Sequence, residues 1–371
     1  MTRKHITKSR IAVALFLALL FLPLCAQILS GSASVSALER RVLAPFPSMG
    51  EAIAAPVQTP AKISRWMEDH FGLRGALTRL YTKLIDEFEL ASTRFAVRGD
   101  DGWLFLSIDR ALASHQGLNP FGPGEAEQWL QGAAKIKAAA CGKPVVFLVA
   151  PDKHTIYTEH LSRYPRLSER PTRLETLAVL APEAGLAFAA PIGALREAKQ
   201  ADLAYYRVDS HWTLRGAYEG YHAAVDLLAQ QGLDIAPLPL TQLEQFGERP
   251  SPNDLYGLLG VENPEPDMIP RWRIKGAAKI LRTEPLPAYD WQGVEAKRWI
   301  SDRQDAPRLL VFGDSFFGGM QPFLSSSFSS VTFLHHRSGA TPLSALAACD
   351  YDAVLYETVE RLLSSGLDVA P

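Results

Sequence analysis

The chain has 371 residues, of which 47% are hydrophobic and 21% charged, and its formal net charge is −2. That size suits one sizeable domain with appendages, and the near-neutral balance leaves no basic footprint for a nucleic-acid partner. Three cysteines are too few for a disulfide scaffold.

Arg3, Lys4, Lys8 and Arg10 precede an apolar run from Ile11 to Leu29, broken by Pro23 and Gln27. At about 1.5 Å per residue, roughly nineteen residues nearly span a bilayer's hydrocarbon layer. The cationic flank stays in the cytoplasm, so the rest of the chain is exported. The run reads as an uncleaved signal anchor over 1–30, while Ser34-Val35-Ser36 before Ala37 leaves signal-peptidase cleavage open. In either case the body is extracytoplasmic, held at the membrane or released. Cys25 lies in the apolar run, which leaves Cys141 and Cys349 as a possible bridge or two buried thiols.

Residues 31–60, rich in small residues and proline, read as a tether, and 61–371 as the exported α/β domain. Ile63 to Leu90 carries apolar residues at helical spacing, interrupted near Gly72. Phe95-Ala96-Val97 and Trp103-Leu104-Phe105-Leu106 flank Gly99-Asp100-Asp101-Gly102, a hairpin signal. A helix over about 124–140 then leads into a buried strand, Pro144 to Ala150. A weaker strand at Ala187-Phe188-Ala189 and a helix across Arg215 to Gln231 follow. The stretch 236–305 has frequent prolines and poor periodicity and reads as a loop-rich insertion over a binding site. The alternation resumes with strand Arg308 to Phe312, a helix after Gly319, strand Val331 to Leu334, helix Pro342 to Ala348, strand Ala353 to Tyr356 and a terminal helix. This pattern predicts an α/β fold with a mainly parallel sheet covered by helices on both faces.

Two segments carry the chemistry, Asp209-Ser210-His211-Trp212 and Gly313-Asp314-Ser315-Phe316. In open parallel sheets ligands bind beyond the strands' carboxyl ends, where Ser315 falls. A serine hydroxyl is a poor nucleophile without a base in reach; His211 supplies one and Asp209 orients it. The amides of Ser315 and Gly313 are candidates for binding an oxyanion. Gly-Asp-Ser alone is common in turns and an Asp alone often caps a helix, so the weight lies on the conjunction. The order Asp, His, then Ser reverses that of the common Gly-Asp-Ser esterases. Asp314 reads as a turn-shaping residue. His335-His336 lacks a matching acidic or thiol cluster, so no metal site is assigned, and no cofactor motif is present. Lys153, Tyr157, Trp212, Arg337 and Gly339 are candidates for binding substrate, each with packing or solvated-loop readings alongside. Trp103, Trp272 and Trp291 stack on sugars or are simply buried.

Six blocks occur in order: Arg40 to Pro47, Asp69 to Arg74, Gly102 to Phe105, Pro151-Asp152-Lys153 with Ile156-Tyr157, Asp209 to Trp212, and Gly313 to Phe316. Together they resemble the alginate O-acetyltransferase family, exported proteins with an SGNH-hydrolase-like domain, over about residues 38–360. The resemblance implies an SGNH-like fold with permuted catalytic blocks and a transferase that acetylates hydroxyls of a secreted polysaccharide. It implies an integral-membrane acyltransferase as partner and acetyl source, and Asp209, His211 and Ser315 as the matching triad. The chain resembles members without a carbohydrate-binding module. The usual SGNH oxyanion Asn is not evident. A carbohydrate acetylesterase and a non-catalytic scaffold of an export complex are the alternative readings.

Overall fold

The structure, a computed structural model, describes residues 43–77, 95–259, 267–290, 293–337 and 342–367, with isolated positions outside these ranges. Most of the apolar run 11–29 therefore lies outside the described residues. Among the described residues no helix is long and apolar enough to cross a membrane.

The chain divides into two compact units, residues 1–95 with 256–262, and 96–255 with 263–371. In the first, helix Met49–Ala54 starts at a capping box in which Ser48 and Glu51 satisfy each other's backbone N–H. This helix falls within the stretch read as a tether. Helix Thr59–Asp69 follows and ends before Gly72, while most of 78–94 lies outside the described residues.

The second unit holds the sheet. Its strands are β1 (Ala96–Arg98), β2 (Leu104–Leu106), β3 (Val145–Ala150), β4 (Ala187–Ala189), β5 (Leu243–Pro250), β6 (Met268–Ile274), β7 (Ile280–Pro285), β8 (Lys297–Ser301), β9 (Arg308–Gly313), β10 (Ser330–His335) and β11 (Ala353–Val359). Its longer helices are α1 (Glu125–Ala139), α2 (Arg173–Glu183), α3 (Ile192–Ala201), α4 (Leu214–Gln230) and α5 (Phe317–Ser327). The main sheet has the order β4-β3-β11-β9-β10-β8-β7. Pairs from β4 to β10 are parallel; β8 and β7 extend the sheet antiparallel. The sheet is thus mixed with a parallel core.

Strand side chains alternate between faces, and each face has its own helices. Val146, Leu148, Val311 and Leu355 pack on one side with Tyr221, Val225, Met320 and Phe323 of α4 and α5. Phe147, Leu310, Phe312 and Val354 pack on the other with Trp129 and Ile136 of α1 and Leu177 of α2. Each such side chain, fully buried, contributes roughly 1.5–3 kcal/mol. Both clusters bury their central strands completely, which accounts for the unbroken apolar runs of β3 and β9.

Three expectations need correction. The stretch 236–305 is not loop-rich: it forms the antiparallel ribbon β5–β6 and strands β7 and β8. Its strands are mostly solvent-facing, β7 nearly throughout, so they carry no apolar alternation. The chain's terminal element is a 3-10 segment, Glu360–Ser365, rather than an α-helix. Helix α5 begins at Phe317, ahead of Gly319. Helices α2 and α3 were not foreseen, although α2 opens on a Thr172–Glu175 capping box.

Cys141 and Cys349 form a disulfide across 208 positions of sequence. It ties the turn after α1 to the turn after helix Pro342–Leu346.

Candidate active site

Asp209, His211 and Ser315 meet beyond the carboxyl ends of the parallel strands. Ser315 lies two residues past the last residue of β9, in the turn that enters α5. The imidazole Nε2 of His211 is 2.8 Å from Ser315 Oγ, and its Nδ1 is 2.8 Å from Asp209 Oδ1. The His211 backbone N–H also donates to Asp209 Oδ1, at 3.0 Å. Ser315 is exposed, whereas Asp209 is 5% exposed. Ser315 is thus the exposed end of this line of contacts and Asp209 its buried end.

Local structure leaves Asp209 free for this contact. The cap of α4 is Thr213, whose hydroxyl accepts the Gly216 N–H, so Asp209 is not the capping residue. Burial works against the charge of Asp209. His211 and the Asp254 N–H outweigh that cost through hydrogen bonds and charge, holding its pKa down to about 2. The carboxylate stays ionised across the neutral range.

Asp254 escaped the sequence reading. Its backbone N–H donates to Asp209 Oδ2 at 3.1 Å, and its carboxylate accepts the Ser210 N–H at 2.8 Å and the Ser210 hydroxyl at 2.6 Å. Its Oδ2 lies 3.7 Å from His211 Nδ1. It sits in the proline-rich stretch 45 positions after Asp209, where only the first-turn acidic position of a short helix marked it. Asp209, His211 and Asp254 offer atoms within 4.8 Å of one another, a spacing that suits a cation. The same atoms are already engaged in the hydrogen bonds just described.

Asp314 shapes the turn. Its Oδ1 accepts the Phe316 N–H at 2.9 Å and its Oδ2 the Val359 N–H at 2.8 Å, joining the nucleophile turn to β11. Glu357 Oε2 accepts the Asp314 N–H at 3.0 Å. A Cβ at Gly313 would lie 2.9 Å from that same oxygen, so the close approach of Glu357 requires glycine there. Gly313 ends β9, buried, and does not line the cleft; among the described residues the Ser315 N–H donates no hydrogen bond.

Trp212 lines the cleft and is buried, its Nε1 donating to the Phe316 carbonyl at 3.0 Å. Cβ atoms at Gly220 and Gly319 would each fall within 2.7 Å of this indole, so both helices approach it through glycine. The other binding candidates lie elsewhere. Lys153 is 2% exposed and points beneath the Asp209 loop. The Tyr157 hydroxyl accepts the Ala204 N–H in the core. Arg337 follows the buried His335-His336 pair and does not line the cleft. Gly339 and Trp291 lie outside the described residues. Trp103 packs in the core against Tyr157 and His160. Burial and the neighbouring His336 push His335 down to about 4.

Beside Ser315 opens a cleft of about 840 Å³. The ribbon β5–β6 lines it with Phe246, Arg249, Arg271 and Trp272, and Tyr206 and Trp212 line it as well. Arg249 donates to the Tyr206 hydroxyl at 2.8 Å. Aromatic faces with guanidinium groups are the lining that suits a sugar chain.

Residues 96–351 match the family described as SGNH hydrolase-like domain, acetyltransferase AlgX. The chain is 23% identical over 342 residues to the probable alginate O-acetylase AlgJ of Pseudomonas aeruginosa, covering 85% of this chain and 84% of that protein. Among solved structures it resembles a DHHW family protein from Eubacterium siraeum, with a TM-score of 0.53 and 15% identity over 74% of this chain and 93% of the other. It also resembles Bacillus cereus PatB1 carrying a sulfonyl adduct, with a TM-score of 0.51 and 16% identity over 72% of this chain and 96% of the other. Both structural likenesses concern the fold.

Proposed function

The chain belongs to the family of the SGNH hydrolase-like acetyltransferase domain of AlgX, and from that premise we propose that it is a polysaccharide O-acetyltransferase working through an acetyl-serine at Ser315. One observation carries this reading: Ser315 Oγ, His211 and Asp209 stand in a continuous hydrogen-bonded line at the mouth of a cleft sized for a glycan.

In the first half-reaction Ser315 Oγ attacks the acetyl carbonyl of a donor while His211 Nε2 takes the hydroxyl proton. The tetrahedral oxyanion collapses, and the departing donor group takes that proton from His211. A sugar hydroxyl then gives its proton to His211 and attacks the acetyl-serine. As the second intermediate collapses, Ser315 leaves and is reprotonated. Asp209, ionised throughout, holds the imidazole in one tautomer and stabilises its charged form. The Ser315 N–H is the candidate oxyanion donor from the turn itself; one such donor is typically worth about 100- to 1000-fold in rate.

The acceptor lies along the β5–β6 ribbon, with Trp272 as a stacking face and Arg271, held over the Phe246 ring, beside it. The first thirty residues anchor the protein at the periplasmic face of the inner membrane. There a membrane acyltransferase delivers the acetyl group and the secreted polymer receives it. The Cys141–Cys349 bridge supports this location, because an oxidising compartment sustains it. The reading is tested by the acetate content of the secreted polymer in cells carrying Ser315→Ala: loss of acetate supports it, and unchanged content rejects it.

A further inference from the structure

Segment 206–209 runs into the Asp209-His211 pair as neither helix nor strand. Three of its carbonyl oxygens, those of Tyr206, Arg207 and Asp209, converge on one point. Lys153 Nζ occupies that point, at 3.0, 3.1 and 2.8 Å. An ammonium has three N–H donors, and here a carbonyl meets each of them. The rings of Phe105 and Trp103 lie 5.1 and 5.7 Å from Nζ, and the side chain is 2% exposed. Among the described residues no carboxylate is in ion-pair contact with it. Converging carbonyl dipoles repel one another unless a cation or water sits between them. Here that role falls to a lysine delivered by the strand end Ala150-Pro151-Asp152.

We propose that Lys153 is a positioning residue: its ammonium gathers these three carbonyls and thereby sets where Asp209 holds His211 against Ser315. The inference rests on the reading of Ser315 and His211 as the reacting groups. A neutral side chain of similar length leaves the carbonyls facing one another unmet, and the loop relaxes by spreading. Asp209 then loses its aim, and a small misplacement of a reacting group costs orders of magnitude in rate. The charge on Lys153 is finely balanced. Burial brings its pKa down to about 7, against the attraction of Asp254 and Asp209. Asp209 faces it from the held loop, Asp254 from helix Asp254–Leu259, and His154 from the adjoining position of its own helix.

The test follows the rate at which phenylmethanesulfonyl fluoride labels Ser315 in the purified full-length chain, with circular dichroism monitoring the fold. In folded Lys153→Met we expect labelling at least about 50-fold slower. In Lys153→Ala we expect n-propylammonium, which restores the missing atoms, to recover at least about tenfold of the loss, with n-propanol recovering none. Folded Lys153→Met labelled within about threefold of the wild type, or recovery with propanol alone, overturns the proposal. An unlabelled Ser315 in the wild type overturns the underlying reading as well, so the two failures are distinct. Should neither variant fold, Lys153→Gln takes their place: its amide can meet at most two of the three carbonyls, so we expect labelling at least about tenfold slower, and labelling within about threefold of the wild type overturns the proposal.

Discussion

The indole N–H of Trp212 donates to the carbonyl of Phe316 at 3.0 Å, joining the segment that carries His211 to the turn that carries Ser315. The two residues also meet edge to face, with ring centroids 5.1 Å apart. His211 and Ser315 lie 104 positions apart in sequence, so this contact fixes their register. Trp212→Phe removes the donor and leaves a void where the indole packs against Gly220 and Gly319. We expect a stability loss of about 2–4 kcal/mol from the stranded carbonyl and the cavity together. Ser315 reactivity should fall about tenfold with KM for an acetyl ester nearly unchanged, as for a group that orients rather than binds. A selective rise in KM would instead make Trp212 a binding residue.

Two carboxylates face Nδ1 of His211, and their roles separate. Asp209→Asn exchanges the acceptor at 2.8 Å for a group that can hold the wrong tautomer, and should lower kcat by about 10³- to 10⁴-fold. Asp254 acts through Ser210 and the Asp209 loop; Asp254→Asn should cost about tenfold. Steady-state rates on an activated acetyl ester give both values. Equal losses would mean that Asp254 shares the acid's role.

The carboxyl groups behind the nucleophile turn make the fold sensitive to pH. Burial, with the Asp314 charge, pushes Glu357 well up, and burial with the Asp152 charge pushes Glu360 up to about 7. On these two carboxyls the folded protein holds protons that the unfolded chain has released above 4.5, so their contribution to stability falls as pH rises from 4.5 towards 7. Asp209 acts the opposite way between 3.8 and about 2, and the buried His335 and His154, both pushed down, act the opposite way within the window as the unfolded chain loses its imidazole protons near 6.5. Glu357→Gln keeps an acceptor for the Asp314 N–H and removes the titration. Relative to the wild type its melting temperature should gain as pH rises over this range, exceeding the wild type's at about pH 8 by a few degrees. A difference between the two proteins that does not change between about pH 4.5 and 8 would contradict the assignment.

The Cys141–Cys349 bridge closes a long loop between two exposed positions that do not line the cleft. Its reduction should cost about 2–5 kcal/mol, seen as a lower urea midpoint with dithiothreitol. Activity per folded molecule should be unchanged, because neither cysteine touches the site.

Much of the parallel core was legible because β3, β9 and β11 are buried on both faces and so read as unbroken apolar runs. The ribbon β5–β6 and strand β7 were not, since solvent-facing strands impose no alternation. Asp209, His211 and Ser315 stood out because a nucleophile, a base and an acid occupied two short blocks at strand and helix boundaries. Asp254 gave no such signal, as its partner Ser210 is met only through the fold. Lys153 was visible as a cation at a strand's end. That it turns inward to three carbonyls depends on the path of a loop more than 50 positions away.

The most direct measurement is to incubate the purified protein with an activated acetyl ester, with and without an oligosaccharide acceptor, and to follow the acetyl group by mass spectrometry. We expect one acetyl group on Ser315, transferred to a sugar hydroxyl when the acceptor is added, and neither product from Ser315→Ala. Sugar ester formed as readily by Ser315→Ala, or an acetyl group that always goes to water whatever acceptor is supplied, would contradict acetyl transfer through this serine.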